Sequence, residues 1–141
     1  MDAAGCVDAG LFRAIQETLA SRAGIVTGRS GSNRLLHGDF DAGQLVADTS
    51  NGRITGFFDF DDVASGDPAW DLASLAHRDG DEWLRGVLEG YEPDASLTQS
   101  LHDGLPLYRL MHDVVAVRVA HERGWHEQLD QATSRLRDAC E

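Results

Sequence analysis

The sequence predicts an α+β fold that is rich in helix, and three observations carry that prediction. Short β-type segments are confined to residues 34–58. One apolar stripe at helical spacing precedes them, and everything after Asp67 repeats at helical spacing. With 141 residues, 42% apolar and 26% charged, the chain can bury a proper core and reads as one domain over 1–141.

The elements follow in order. Asp8 is placed to cap a first helix whose stripe is Leu11, Phe12, Ile15 and Leu19, running to about Arg22. Gly24 to Asn33 reads as a loop. Arg34–Leu36, Leu45–Ala47 and Arg53–Phe58 read as strands, the last two joined by a turn at Asn51-Gly52, and the β content is expected to end there. Asp67-Pro68 signals a helix start, because the aspartate accepts from free amides and proline fits the first turn. Trp83, Leu84, Val87, Leu88 and Tyr91 mark the next helix, ended by Pro93. Leu97 and Leu101 suggest a short helix; Leu107, Leu110, Met111, Val114 and Val117 a longer one stopped near Gly124; and Trp125, Leu129, Ala132 and Leu136 the last.

Charge excludes some functions. Twelve arginines against 24 acidic residues leave a net charge of −12, and the chain contains no lysine. Nucleic acid and anionic membrane surfaces are therefore poor partners, and chemistry that needs a lysine is not completed within these residues. The acidic helix positions Asp79, Asp81, Glu82, Glu89 and Asp113 would suit a cationic ligand, and equally a solvated face. No apolar run is long enough to span a bilayer. The opening Met1 to Gly5 shows no secretory pattern, so the expected location is the cytoplasm. Cys6 and Cys140 show no metal or redox spacing and read as two reduced thiols.

The chemistry-bearing residues fall in three places. Leu36-His37-Gly38-Asp39-Phe40 sets an imidazole and a carboxylate directly after a strand. Phe57-Phe58-Asp59-Phe60-Asp61-Asp62 brings carboxylates out of an aromatic strand, where a buried Asp59 would need a metal, a cation or several donors. Gly66-Asp67-Pro68-Ala69-Trp70-Asp71-Leu72-Ala73 places Asp71 on the apolar stripe of its helix, so its carboxylate must be satisfied internally.

This ordered set, over about Leu35 to Ala76, resembles the aminoglycoside phosphotransferase family, whose fold is protein-kinase-like and whose pattern is roughly HGDxxxxN, a hairpin, a metal-binding aspartate and GDPxxDLA. The resemblance implies the helix-rich carboxy-terminal lobe of that fold, its helical part spanning 67–141, with a small hairpin element carrying the catalytic and metal loops. It implies transfer of a phosphoryl group from ATP or GTP to a hydroxyl of a small, aminoglycoside-like molecule. Asp39 would take the hydroxyl proton, and Asp59 would hold Mg²⁺ and through it the nucleotide. His37 would pack beneath the metal aspartate, and Asp71 would accept backbone donors of the catalytic loop. Gln44 stands where the family has a metal-binding asparagine, offering the same carbonyl on a longer side chain. The segment before His37 reads as one helix and a loop, so the nucleotide-covering amino-terminal lobe and its phosphate-holding lysine have no counterpart here, and Arg29 or Arg34 would be weak replacements.

Other readings fit less well. A haloacid-dehalogenase-like phosphatase would match Asp59-Phe60-Asp61, but Val63 and the lack of lysine oppose it. A zinc hydrolase built on His121, Glu122 and His126 lacks the i, i+4 spacing that puts two histidines on one helix face. The serious alternative is a remnant without catalysis that binds a ligand or partner; a nucleotide lobe supplied in trans would separate the two.

Overall fold

The computed structural model describes residues 5–27, 33–91 and 95–141. It is a mixed α+β structure dominated by helix. The chain divides into two compact units, one formed by Met1–Arg29 with Pro106–Glu141 and the other by Ser30–Leu105.

The first unit is helical. Helix α1 (Ala9–Thr27) is capped by Asp8, whose Oδ1 accepts the Leu11 amide at 2.9 Å. That bond and the Arg137 guanidinium hold the Asp8 carboxyl below its ordinary range. The helix runs five residues past the expected end at Arg22, because one glycine costs a helix only about 1 kcal/mol and Gly24 does not stop it. The remainder of the expected loop, 28–32, lies outside the described residues, as does Arg29.

The two helices expected on either side of Pro106 are a single α4, Ala95–Arg123. Proline removes one amide donor and crowds the preceding turn, at about 3 kcal/mol. Buried leucines on both sides, Leu101 before it and Leu107 and Leu110 after it, offset that cost. Helix α4 closes with Gly124 at φ +67°: the Gly124 amide donates to the His121 carbonyl and the Trp125 amide to the Ala120 carbonyl, the paired bonds of a Schellman end. Helix α5 (His126–Cys140) follows.

Leu11 and Ile15, Leu110 and Val117, and Ala132 and Leu136 form the core, each pair at helical spacing on one face of α1, α4 and α5. Asp113 sits between Leu110 and Val117 on the α4 stripe and is buried, with Arg135 Nε donating to it at 2.6 Å. It is therefore neither a solvated face nor a surface site for a cationic ligand.

The second unit carries all the β structure found among the described residues. Strand β1 (Arg34–Leu36) pairs antiparallel with β4 (Ala64–Gly66), and β2 (Leu45–Asp48) pairs antiparallel with β3 (Arg53–Phe57). The hairpin has Leu45 opposite Phe57 and Asp48 opposite Arg53, with a bulge at Val46/Ala47. Its turn is built on Asp48, which accepts from the Ser50 hydroxyl and amide, bonds that hold its carboxyl below the ordinary range. Gly52, at φ +70°, completes the turn.

Two strand expectations need correction. The β content does not end at Phe58: Ala64-Ser65-Gly66 has little β-propensity of its own and becomes a strand only through β1. Gly66 lets the two strands pack closely, since a Cβ would lie 2.8 Å from Leu36 Cδ1 and the leucine side chain would have to shift. Strand β3 also stops at Phe57, one residue early.

Helix α2 (Ala69–Asp79) begins where Asp67 Oδ1 accepts the Ala69 amide at 3.0 Å, and it buries Ala69 and every residue from Leu72 to Ala76. It ends at Gly80, φ +94°. Helix α3 spans Asp81–Tyr91, and its expected terminator, Pro93, lies outside the described residues.

Candidate functional site

Strand β1 delivers His37 into the buried edge of the second unit, and the chain then turns through Gly38 and Asp39. Asp71, two residues into α2, accepts the His37 amide on one carboxylate oxygen at 2.7 Å and the Gly38 amide on the other at 2.9 Å. One side chain thus satisfies two successive backbone donors, which the extended ladder cannot reach once the strand has ended. Trp70 Nε1 donates to the Gly38 carbonyl at 2.9 Å. Gly38 takes φ +94°, and a Cβ there would stand 2.1 Å from the Asp62 carbonyl oxygen, so only glycine fits.

The far end of α2 holds the rest of this loop. Arg78 donates through Nη2 to Asp39 Oδ1 and through Nη1 to Asp41 Oδ2, the latter at 2.6 Å. Asp79 accepts the Ala42 amide at 2.8 Å. Between these ties the loop makes a single 3-10 turn, Ala42–Gln44, with a reciprocal cap: Asp41 accepts the Gly43 amide, and the Asp41 amide donates to Gln44 Oε1 at 3.1 Å. Asp39 is left half-exposed, with Oδ1 engaged and Oδ2 open.

The second loop, Phe58 to Val63, is built differently. His37 Nε2 donates to the Phe58 carbonyl at 2.8 Å, and the Phe58 amide donates to the Gln44 carbonyl at 3.1 Å, which brings the two loops together. That assignment of the ring proton leaves Nδ1 as an acceptor, buried and without a partner among the described residues. The His37 ring lies 4.8 Å from Phe60, which lies 5.1 Å from Phe57. Asp59 is the one described residue other than glycine with a positive φ, +70°.

The expectation that Asp59 is buried is wrong. It is exposed, as are Asp61 and Asp62: the strand that leads to it is itself exposed at every residue but Gly56, so the segment that follows is not covered. No hydrogen bond or ion pair within the described residues engages these three carboxylates.

Sequence reasoning placed His37, Asp39, Gln44, Asp59 and Asp71 in one neighbourhood, and the two loops do meet. It missed Arg78, and it read Asp79 only as an acidic helix position for a cationic ligand or a solvated face, whereas its carboxylate holds the Ala42 amide. Arg78 follows Asp71 by seven residues, two helical turns, and so shares its face of α2; that spacing was the available signal. The Asp41 and Gln44 cap was also visible as acidic and amide residues three apart.

The sequence model of the phosphotransferase enzyme family matches residues 2–105. The chain belongs to that family. No curated protein matches it. The family match ends at the last residue of the second unit and takes in every motif of the candidate site.

A hard cation such as Mg²⁺ takes oxygen ligands, keeps several waters and needs only one or two protein carboxylates beside phosphate oxygens. Asp59 fits that requirement, since its oxygens are exposed and unspent. Gln44 is buried, and its oxygen is taken by the Asp41 amide. Among the described residues no group of three or more His, Cys, Asp or Glu side chains converges as a metal cage.

A cavity of about 440 Å³ opens beside the site, lined chiefly by Leu35, Phe40, Phe57, Phe60, Leu72 and Tyr91. Neither Asp39 nor Asp59 lines it, so it is a feature separate from the open carboxylates. No described helix is long and apolar enough to cross a membrane.

Proposed function

We propose that this phosphotransferase transfers the γ-phosphoryl group of ATP or GTP to a hydroxyl of a small, aminoglycoside-like molecule, acting in the cytoplasm. The observation that carries the reading is the pair of bonds from Asp71 to the His37 and Gly38 amides, which fixes the backbone on which Asp39 stands. Asp39 Oδ2 takes the proton of the acceptor hydroxyl as its oxygen bonds to phosphorus and the nucleoside diphosphate leaves. Asp59 holds Mg²⁺, which when bound offsets the charge of the phosphate oxygens. Gln44 joins it as a ligand only by releasing the Asp41 amide.

The 141 residues contain no lysine, so a lysine that grips the phosphates would come from a nucleotide lobe supplied by another chain or segment. Without one, the triphosphate faces Asp39, Asp59, Asp61 and Asp62 with little besides the metal to offset repulsion.

Calorimetry of these 141 residues with nucleotide tests the reading. Weak binding of ATP or GTP that requires Mg²⁺ and disappears in Asp59→Asn is expected. Gln44→Asn tightens that binding if position 44 is a displaced ligand and leaves it unchanged if it is only a cap. Where a nucleotide lobe restores turnover, Asp39→Asn is expected to lower it by roughly 10²- to 10⁴-fold with the fold intact. Turnover near wild type would remove Asp39 from the mechanism.

A second reading, a non-catalytic module that binds a ligand or partner, is favoured by the apolar cavity and by the exposure of Leu35, Phe57 and Phe60 around it. Absence of any Mg²⁺-dependent nucleotide binding would select it.

A further inference from the structure

Cys6 and Cys140 are separated by almost the whole chain, and the helical unit packs both against one buried cluster. Asp8, just before α1, accepts from Arg137 Nη2 in the last turn of α5 at 3.0 Å. The start of α1 therefore lies beside the end of α5, and the two helices, which pack together, run antiparallel. Cys6 precedes Asp8 by two residues, and Cys140 follows Arg137 by three, less than one helical turn.

Both side chains pack against the same buried cluster, in which Leu11 and Leu136 come from α1 and α5. Cys140 also lines a groove together with Asp8, Gly10, Leu11 and Ala14. Each cysteine is partly exposed and free, and the sequence has no others.

We propose that Cys6 and Cys140 are a modification site: under oxidising conditions they form an intramolecular disulfide that staples the start of α1 to the end of α5. With a small disulfide such as oxidised glutathione as oxidant, one cysteine thiolate attacks a glutathione sulfur and expels one glutathione thiolate. The second cysteine thiolate then attacks the protein sulfur of that mixed disulfide and expels the other. The protein gives up two protons and two electrons, and one oxidised glutathione becomes two reduced ones. The fold supplies the encounter. In an unfolded chain the same bond requires closing a loop of nearly the full length, whereas the packed helices already hold the ends together. The proposal is independent of the phosphotransfer reading, since neither cysteine belongs to the unit that holds Asp39 and Asp59.

The test is equilibration of the protein with a reduced and oxidised glutathione mixture, folded and in urea, followed by intact mass, non-reducing electrophoresis and peptide mapping. The folded protein is expected to remain monomeric, lose about 2 Da and yield a Cys6 peptide linked to the Cys140 peptide. In urea the yield is expected to fall at least about tenfold. Cys6→Ser and Cys140→Ser each take a single glutathione instead. Oxidised wild type should melt on the order of 10 °C above its reduced form, a gap that both serine variants lack. Glutathione adducts on both cysteines without a link, covalent dimers, no reaction, or equal cross-linking in urea would each overturn the proposal.

Discussion

The two loops of the candidate site carry the same kind of side chain and treat it in opposite ways. In the loop after β1, Asp39 and Asp41 are held by Arg78, the backbone is held by Asp71 and Asp79, and Gly38 leaves no room to shift. In the loop after β3, the Asp59, Asp61 and Asp62 carboxylates stand in solvent with no partner among the described residues, and the chain turns through a left-handed aspartate. The difference matches the two chemical tasks proposed above for Asp39 and Asp59. A proton acceptor must be fixed in direction before the substrate arrives. A ligand for Mg²⁺ must keep its oxygens unspent until the ion and its phosphates are present.

The comparison can be broken most severely at Asp71. Asp71→Ala removes the acceptor of two backbone amides and should cost about 3 kcal/mol or more in chemical denaturation. A loss under about 1 kcal/mol would mean that water replaces the carboxylate and that the first loop is not rigidly held.

Gly38 is where the loops touch. Gly38→Ala meets both a left-handed φ and the Asp62 carbonyl and should cost about 2–4 kcal/mol by the same measurement. A neutral result would show that the second loop yields freely. Arg78→Leu sharpens the contrast at an exposed pair, where solvent screening reduces the expected loss to about 1 kcal/mol. Arg78→Lys should restore less than half of it, because an ammonium cannot fork between two carboxylates; full restoration would reduce Arg78 to a point charge.

The smallest effect on stability is expected at Asp59. Asp59→Gly relieves a left-handed residue while loosening the unfolded chain, so the protein should lie between unchanged and about 1 kcal/mol more stable. The same variant should lose Mg²⁺-dependent nucleotide binding in calorimetry. Destabilisation beyond about 1 kcal/mol would mean that the Asp59 carboxylate supports the fold, and the two loops would then differ less than their geometry indicates.

Much of this was legible in the chain, for local reasons. Asp8, Asp67 and Gly124 announce helix ends through their own capping bonds, and Leu11, Leu110 and Leu136 fall into stripes because helical periodicity is a property of neighbours. His37, Asp39, Asp59 and Asp71 stood out because polar groups among apolar residues need a use, and their ordered spacing indicated the family that the comparison then showed. Only tertiary structure decided the rest. Ala64-Ser65-Gly66 is a strand because Arg34-Leu35-Leu36 lies beside it, and α4 continues through Pro106 because burial on both sides outweighs one lost bond. Asp113 is buried because Arg135 reaches it, and Asp59 is exposed because nothing packs over β3 and the loop after it. Arg78 meets Asp39, and Cys6 and Cys140 pack against one buried cluster, through contacts between residues far apart in sequence. Periodicity and capping act within a few residues and are written locally; the partner of a buried charge or a half-made strand is set by whichever distant segment the packing brings to it.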